Sequence, residues 1–407
     1  MTQQSKRICI LGGGFGGLYT ALRLAQLPWL PAEKPEIVLV DQRDRFLFLP
    51  LLYELVTREL ETWEIAPDYT ELLANTPIQF RQAMVAGINT EAKQVQLRSS
   101  READYGAPQT LDYDYLVLAM GGETPMDRVP GVAEHAIAFR SLQDAYRLEE
   151  GLRQLEAAGG DRIRVAIVGA GYSGVELACK LAERLGEKGR VRLVEATDEI
   201  LRNSPEFNRE KARKALEDRQ VWVDLETKVE SVTAETIALE YKNSVDTIPV
   251  ELVLWTVGTQ VAPVIRDLPL KHTDRGQLVT LPTLQVIDHP EIFALGDLAE
   301  CVDAEGQRVP STAQAAFQQA DYTGWNLWAA ITNRPLLPFR YQALGEMMSL
   351  GTDNATLAGL GIQLDGPLAH VARRLVYLYR MPTLDHQIKV GINWIVQPLR
   401  SLLSPNS

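Results

Sequence analysis

Residues 309–320, VPSTAQAAFQQA, set Gln314 and Gln318 four positions apart in an alanine-rich stretch. On a helix, positions at that spacing are neighbours on one face. An amide donates to or accepts from a bound carbonyl without committing a charge to an apolar pocket, so the pair is a candidate binding element. Taken alone it reads first as a solvated amide stripe. Two glycine clusters carry more. RICILGGGFGG places Gly12, Gly14 and Gly17 in GxGxxG spacing, and RVAIVGAGYSGVELA repeats the pattern with Gly169, Gly171 and Gly174. That spacing suits a dinucleotide: the first glycine permits a tight turn, the second lets the backbone approach a pyrophosphate, and the third allows close packing of helix on strand. The helix that follows offers its unpaired N-terminal amides to the phosphates.

Positioning such loops requires a strand before and a helix after each one. RICIL is a buried-strand run, and LYTALRLAQL continues with helical periodicity. The next strand, EIVLVD, ends at Asp41, 24 residues after Gly17, where a carboxylate accepts hydrogen bonds from a ribose diol. In the second copy VRLVE ends at Glu195, 21 residues after Gly174. Glu195 favours NADH, because a carboxylate repels a 2′-phosphate, although the nearby Arg202 leaves NADPH possible. Phe15, and Tyr172 with Ser173, open the two helices and join the candidate cofactor contacts. Two further apolar strands, in YDYLVLAMGG and ELVLWTVGTQVAP, run into turns at Gly121 and Gly258. PEIFALGDLAE ends at Gly296 and Asp297 and reads as a return to the first domain. The expected organisation is therefore α/β, with 1–125 and 280–345 forming one Rossmann-like domain, 126–279 a second inserted within it, and 346–407 a C-terminal segment.

Composition narrows the function. A net charge of -12 argues against a general nucleic-acid binder, which needs basic surface to release phosphate counterions. Cys9, Cys179 and Cys301 are far apart, with neither CxxC nor metal-ligand spacing, so they read as reduced structural residues and no metal is expected. Lys6 and Arg7 precede an apolar stretch, but glycines break it and no convincing cleavage site follows, so it does not read as a signal peptide.

With both loops and the GD stretch in hand, the chain resembles the two-dinucleotide flavoprotein reductases of glutathione reductase type over residues 5 to 345. The resemblance implies FAD at Gly12, Gly14, Gly17 and Asp41, NADH at Gly169, Gly171, Gly174 and Glu195, and Asp297 on the flavin ribityl chain. Dithiol reductases of that type need a cysteine pair that is missing here. Closer matches are to the type II NAD(P)H:quinone oxidoreductases. FLFLPLLYEL is similar to their flavin-flanking segment, which implicates Pro50 and Leu51; GVELA puts Glu176 where the family has a glutamate near the nicotinamide. STAQAAFQQA is similar to the helix beside their quinone pocket, which turns Gln314 and Gln318 into quinone-site candidates and sets Thr312 and Ala313 at a helix N-terminus facing the flavin. PLLYEL, GEMMSLGTDNA and the short length resemble the cyanobacterial and plastid branch, associated with demethylphylloquinone reduction in vitamin K1 synthesis. The implied reaction passes hydride from NADH to flavin and then two electrons to a membrane quinone.

The C-terminal segment reverses the acidic average. Residues 366–407 carry Arg373, Arg374, Arg380, Lys389 and Arg400 against Asp385 alone. Leu368, Val371, Ala372, Leu375, Val376 and Tyr379 recur at helical spacing, as do Ile388, Ile392, Ile395, Val396, Leu399, Leu402 and Leu403, with a break or kink expected at Pro398. Apolar and basic faces on such helices suit a peripheral position on an anionic membrane, thylakoid or plasma, at its cytoplasmic face. Packing on the protein's own core or against a second subunit explains the periodicity too. Two other readings stay open: a soluble ferredoxin or rubredoxin reductase, and a nucleotide-binding redox sensor. His272, His289 and His386 show no catalytic pattern.

Overall fold

The computed structural model describes residues 5–99 and 108–403, with side chains as far as residue 396, and its chain falls into two compact units. The first comprises Met1–Phe46, Pro67–Glu123 and Thr259–Gln342; the second comprises Leu47–Ala66, Thr124–Gly258 and Ala343–Ser407. This division differs from the sequence expectation in three places. Residues 259–279 join the first unit, because Val261, Ile265, Leu268 and Leu278 are buried in its core. Leu47–Ala66 and the C-terminal segment both belong to the second unit, where buried ion pairs hold them.

The first unit is built on an eight-stranded sheet. Its parallel centre orders His289–Ala294, Tyr115–Leu118, Arg7–Leu11, Glu36–Asp41 and Ile78–Asn89. Arg7–Leu11, Glu36–Asp41 and Tyr115–Leu118 are runs of mostly apolar residues without an exposed position, as expected where both faces of a parallel sheet are covered. Ile78–Asn89 then turns into an antiparallel extension through Gln94–Ser99 and Gln109–Asp112, which the sequence reading had not assigned. The helices Phe15–Gln26 and Ala313–Ile331 pack on each other, and Gly324 is required there because a Cβ would lie 2.7 Å from Arg23 Cγ.

The second unit repeats the theme with five parallel strands, Trp222–Asp224, Gly189–Val194, Ile163–Val168, Leu252–Trp255 and Ala136–Ala138, and the helix Tyr172–Leu185. An antiparallel sheet of Glu346–Ser349, Ala355–Gly359 and Ile362–Asp365 precedes the C-terminal helices. Those helices span Gly366–Arg380 and Leu384–Leu403. The second runs through Pro398 without the expected break, since a proline removes its own donor while the flanking backbone bonds can persist. The side chains of Leu399, Arg400, Leu402 and Leu403 lie outside the described residues.

Candidate active site

In the first unit Gly12 takes φ +97, and a Cβ there would sit 2.4 Å from Ala119 O. Only glycine fits that turn. A Cβ on Gly17 would fall 1.8 Å from Gly12 O, so the third glycine is demanded by helix–strand contact, while a Cβ on Gly14 would meet nothing within 4 Å. The open position is the one that the sequence expectation sets against a pyrophosphate. Gly14 caps the helix Phe15–Gln26 and no side chain caps it, so the first amides remain for a ligand. Asp41 Oδ2 accepts from Gly13 N at 2.6 Å and Oδ1 from Arg43 N at 2.8 Å. Burial raises the Asp41 carboxyl above its ordinary value, with these amides pulling the other way. The carboxylate therefore braces the loop.

The second unit shows the same device. Gly169 takes φ +102, a Cβ on Gly174 would lie 1.8 Å from Gly169 O, and Gly171 faces open space. Glu195 Oε2 accepts from Ala170 N at 2.8 Å, and Oε1 takes the Thr197 amide and hydroxyl. Tyr172 is bonded to Glu346 and accepts from Ser204, and Ser173 Oγ accepts from Tyr53 at 2.8 Å. Gly258 takes φ +83, with Pro125 Cγ 3.0 Å from its would-be Cβ.

Around Asp297 the first unit has a pocket of about 380 Å³, lined among others by Gln260, Arg275, Gln277, Asp297, Pro310 and Ser311. Gly296 turns at φ +76, and its amide donates to Gln319 Oε1 at 2.9 Å. Thr312 caps the helix Ala313–Ile331 by accepting from Ala315 N. Gly121, at φ +69, has nothing near its would-be Cβ. The pocket thus combines an acid with basic and amide side chains, beside the turn at Gly296 and the start of the helix Ala313–Ile331. The two glutamines are placed less simply. Gln314 Oε1 accepts from Tyr341 OH at 2.9 Å, and Gln318 uses both ends of its amide on the Gln342 backbone. Both are half-buried and hold residues 341 and 342 against the helix.

Pro50 and Leu51 lie in the short 3-10 helix Leu49–Leu55 of the second unit, with Leu51 wholly buried. That segment meets Glu176 in a cluster of charges sealed from water. Glu54, Lys180 and Arg373 are each wholly buried. Lys180 Nζ binds Glu54 Oε2 at 2.6 Å and also Glu59; Arg373 Nη1 binds Glu54 Oε1 at 2.6 Å. Glu176 Oε1 accepts from Ser349 N at 2.7 Å, with Arg373 Nη2 at 3.4 Å. Burial pushes the Glu176 carboxyl up to about 7 although Arg373 and the Ser349 amide oppose it. Burial and the Glu54 carboxylate push Glu59 up to about 7. Glu54 also suffers burial, but Arg373 and Lys180 pull it well below the usual carboxylate range.

The cluster corrects one expectation. Arg373 and Arg374 do not face lipid: they turn inward, Arg374 Nη2 lying 3.6 Å from Glu59. The apolar residues do face out, with Leu368, Val371, Leu375, Ile388 and Ile392 exposed and Tyr379 at 78%. Glu64, wholly buried, accepts from Trp394 Nε1 at 2.8 Å and Asn393 Nδ2 at 3.1 Å, which fastens the last helix. No described helix is long and apolar enough to cross a membrane. Sequence reasoning missed Tyr69, Gln319, Glu54, Lys180 and Arg373 as site residues. Only Lys180 had a local signal, four residues after Glu176 on one helix face.

Residues 6–320 match the pyridine nucleotide-disulphide oxidoreductase family. Demethylphylloquinone reductase NdbB of Synechocystis sp. is 58% identical over 399 residues, 98% of each chain. Alternative NAD(P)H-ubiquinone oxidoreductase C1, chloroplastic/mitochondrial, of Arabidopsis thaliana is 45% identical over 421 residues, covering 96% of this chain and 80% of that one. NDH2 of Plasmodium falciparum, solved with NADH, superposes with a TM-score of 0.84 at 18% identity, covering 96% of this chain and 98% of that one, and so shares the fold. The chain is a member of the pyridine nucleotide-disulphide oxidoreductase family and, within it, of the type II NADH:quinone oxidoreductases.

Proposed function

We propose that this protein is an FAD-dependent, non-pumping NAD(P)H:quinone oxidoreductase that prefers NADH, reduces demethylphylloquinone and works from a membrane surface. The observation that carries the reading is the pairing of two open dinucleotide cradles in a chain whose three cysteines are all buried and unpaired. With no thiol relay available, the acceptor has to take its electrons from the flavin itself. A flavin bound at the first cradle supplies the chemistry of accepting hydride from a nicotinamide and reducing a quinone by two electrons.

The chain's own residues bind, brace and supply protons. Asp41 and Glu195 each fix the second residue of their loop and stand at the ribose end of the cradle. Glu195 sets the preference for NADH, since its charge opposes a 2′-phosphate. Quinol formation consumes one proton beyond the hydride, and Glu176 is suited to hold it: Oε1 is engaged by Ser349, and a proton on Oε2 is retained near neutral pH because burial lifts the carboxyl to about 7. Gln314 and Gln318 act on the quinone through the Tyr341–Gln342 segment they hold, with Gln318 positioning that segment. The outward apolar faces of the last two helices dock on lipid, and the exposed Lys389 favours an anionic surface. Steady-state oxidation of NADH by the FAD-loaded protein tests the reading, with a prenylated naphthoquinone, a benzoquinone and a ferredoxin as acceptors. Fastest turnover with the naphthoquinone is expected, and turnover with ferredoxin alone would overturn it.

A further inference from the structure

We propose that Arg373 is a positioning residue that reaches from the C-terminal segment onto Glu176 and, shared with Glu54, sets the charge state in which Glu176 works. The inference rests on the functional reading only in taking Glu176 as the proton-holding group. Arg373 stands on the helix Gly366–Arg380, whose outer side exposes Leu368, Val371, Leu375 and Tyr379, while its own side chain is wholly buried. The guanidinium is held on several sides. Nη1 binds Glu54 Oε1 at 2.6 Å, Nη2 donates to Pro50 O at 2.9 Å and reaches Glu176 Oε1 at 3.4 Å, and the plane lies 4.8 Å from the Tyr377 ring centroid. One cation therefore serves two carboxylates, closely on Glu54 and more loosely on Glu176.

Every element around Glu176 contributes a group. Its own helix brings Cys179 and Lys180; the Leu49–Leu55 turn brings Tyr53 and Glu54; the strand Glu346–Ser349 brings the Ser349 amide; the helix Gly366–Arg380 brings Arg373 and Tyr377. Glu59 adds a carboxylate through Lys180, and Arg374 lies beside Glu59. Arg373 is the closest full charge of opposite sign to Glu176, and Glu54 is the carboxylate that competes for it. Removing the cation and removing its competitor must then move Glu176 in opposite directions. A residue serving only to hold the fold would not produce shifts of opposite sign.

The test is a pH titration of the carboxyl infrared bands of the flavin-loaded protein, with Glu176→Gln identifying the Glu176 band. In Arg373→Met the midpoint of that band is expected to rise by a tenfold or greater change in proton affinity. Arg373→Lys is expected to restore most of the wild-type value, and Glu54→Gln to lower the midpoint. The pH profile of quinone turnover is expected to shift in the same senses. An unchanged midpoint in Arg373→Met, or a midpoint in Glu54→Gln that stays or rises, overturns the proposal. If Arg373→Met does not fold, Glu54→Gln decides alone. Midpoints that move as stated in a protein unable to reduce quinones uphold the role of Arg373 and refute the functional reading instead.

Discussion

Replacing Gly14 and Gly171 by alanine separates binding from folding more cleanly than any other change in the loops. Gly14 sits at φ -70 and ψ -161, Gly171 at φ -77 and ψ -170, both backbone conformations open to alanine. Neither would-be Cβ meets a protein atom within 4 Å. Losing glycine at a helix cap costs up to about 1 kcal/mol, and the stiffer unfolded chain returns about 0.4–1 kcal/mol, so folding is nearly unchanged. The methyl group instead occupies the space of a pyrophosphate. Forfeiting one charge-assisted amide bond costs about 1.5–3 kcal/mol, which weakens the dinucleotide about 10- to 150-fold. Equilibrium titration with FAD, by quenching of flavin fluorescence, and with NADH, by calorimetry, reads the two sites apart. Gly14→Ala is expected to lose FAD affinity and Gly171→Ala NADH affinity, each at near wild-type melting temperature. Gly17→Ala, whose Cβ would stand 1.8 Å from Gly12 O, is expected to fold poorly. Wild-type FAD binding by Gly14→Ala, or a Gly14→Ala variant that loses NADH instead, would refute the assignment.

Three further outcomes concern Tyr69, Lys180 and Glu195. Tyr69 donates to Gly13 O at 2.8 Å while Asp41 accepts from Gly13 N, so Tyr69→Phe leaves the loop braced from one side only. The buried carbonyl then goes unpaired at about 1–3 kcal/mol, and FAD titration is expected to show weaker binding with NADH affinity intact. Lys180→Met leaves Glu54 with Arg373 alone and takes from Glu59 its close cation, and breaking such a buried pair costs about 3–5 kcal/mol. Because Lys180 lowers the Glu59 carboxyl, which burial nonetheless raises to about 7, its loss lifts that carboxyl further, so the deficit in melting temperature is expected to be largest well above pH 7 and to shrink as pH falls towards 7 and Glu59 of the variant takes up its proton. Glu195→Gln keeps the size of the side chain but removes the charge and one of its two accepting oxygens; the charge is worth about 1 kcal/mol against a phosphate in a water-like medium, so the NADPH to NADH ratio of kcat/KM is expected to rise about fivefold.

The loops were legible in the sequence because their demands are local. Gly17 and Gly174 answer a steric contact with the turn five residues before them, Gly12 and Gly169 answer the positive φ of that turn itself, and Asp41 ends, and Glu195 directly follows, the next strand in order. Tyr69 and Gln319 were not legible, since a buried tyrosine and one glutamine among three carry no periodic mark. The ion cluster was hidden for a different reason. Glu54 meets Lys180 across 126 positions and Arg373 across 319, so the pairing exists only once the chain has folded. The same distance hid the partners of the tail's basic run, two of whose arginines answer acids in the interior. Gln314 and Gln318 show the limit of a spacing argument: their shared face is real, yet Gln318 uses that face to clamp the Gln342 backbone.

The most direct measurement of the central claim is anaerobic mixing of the flavin-loaded protein with NADH, followed by a prenylated naphthoquinone, while the visible flavin absorbance is recorded. Bleaching by NADH and full recovery on adding the quinone, with one quinol formed per NADH consumed, is the expected result. Bleaching that the quinone leaves unreversed and a ferredoxin restores would contradict it.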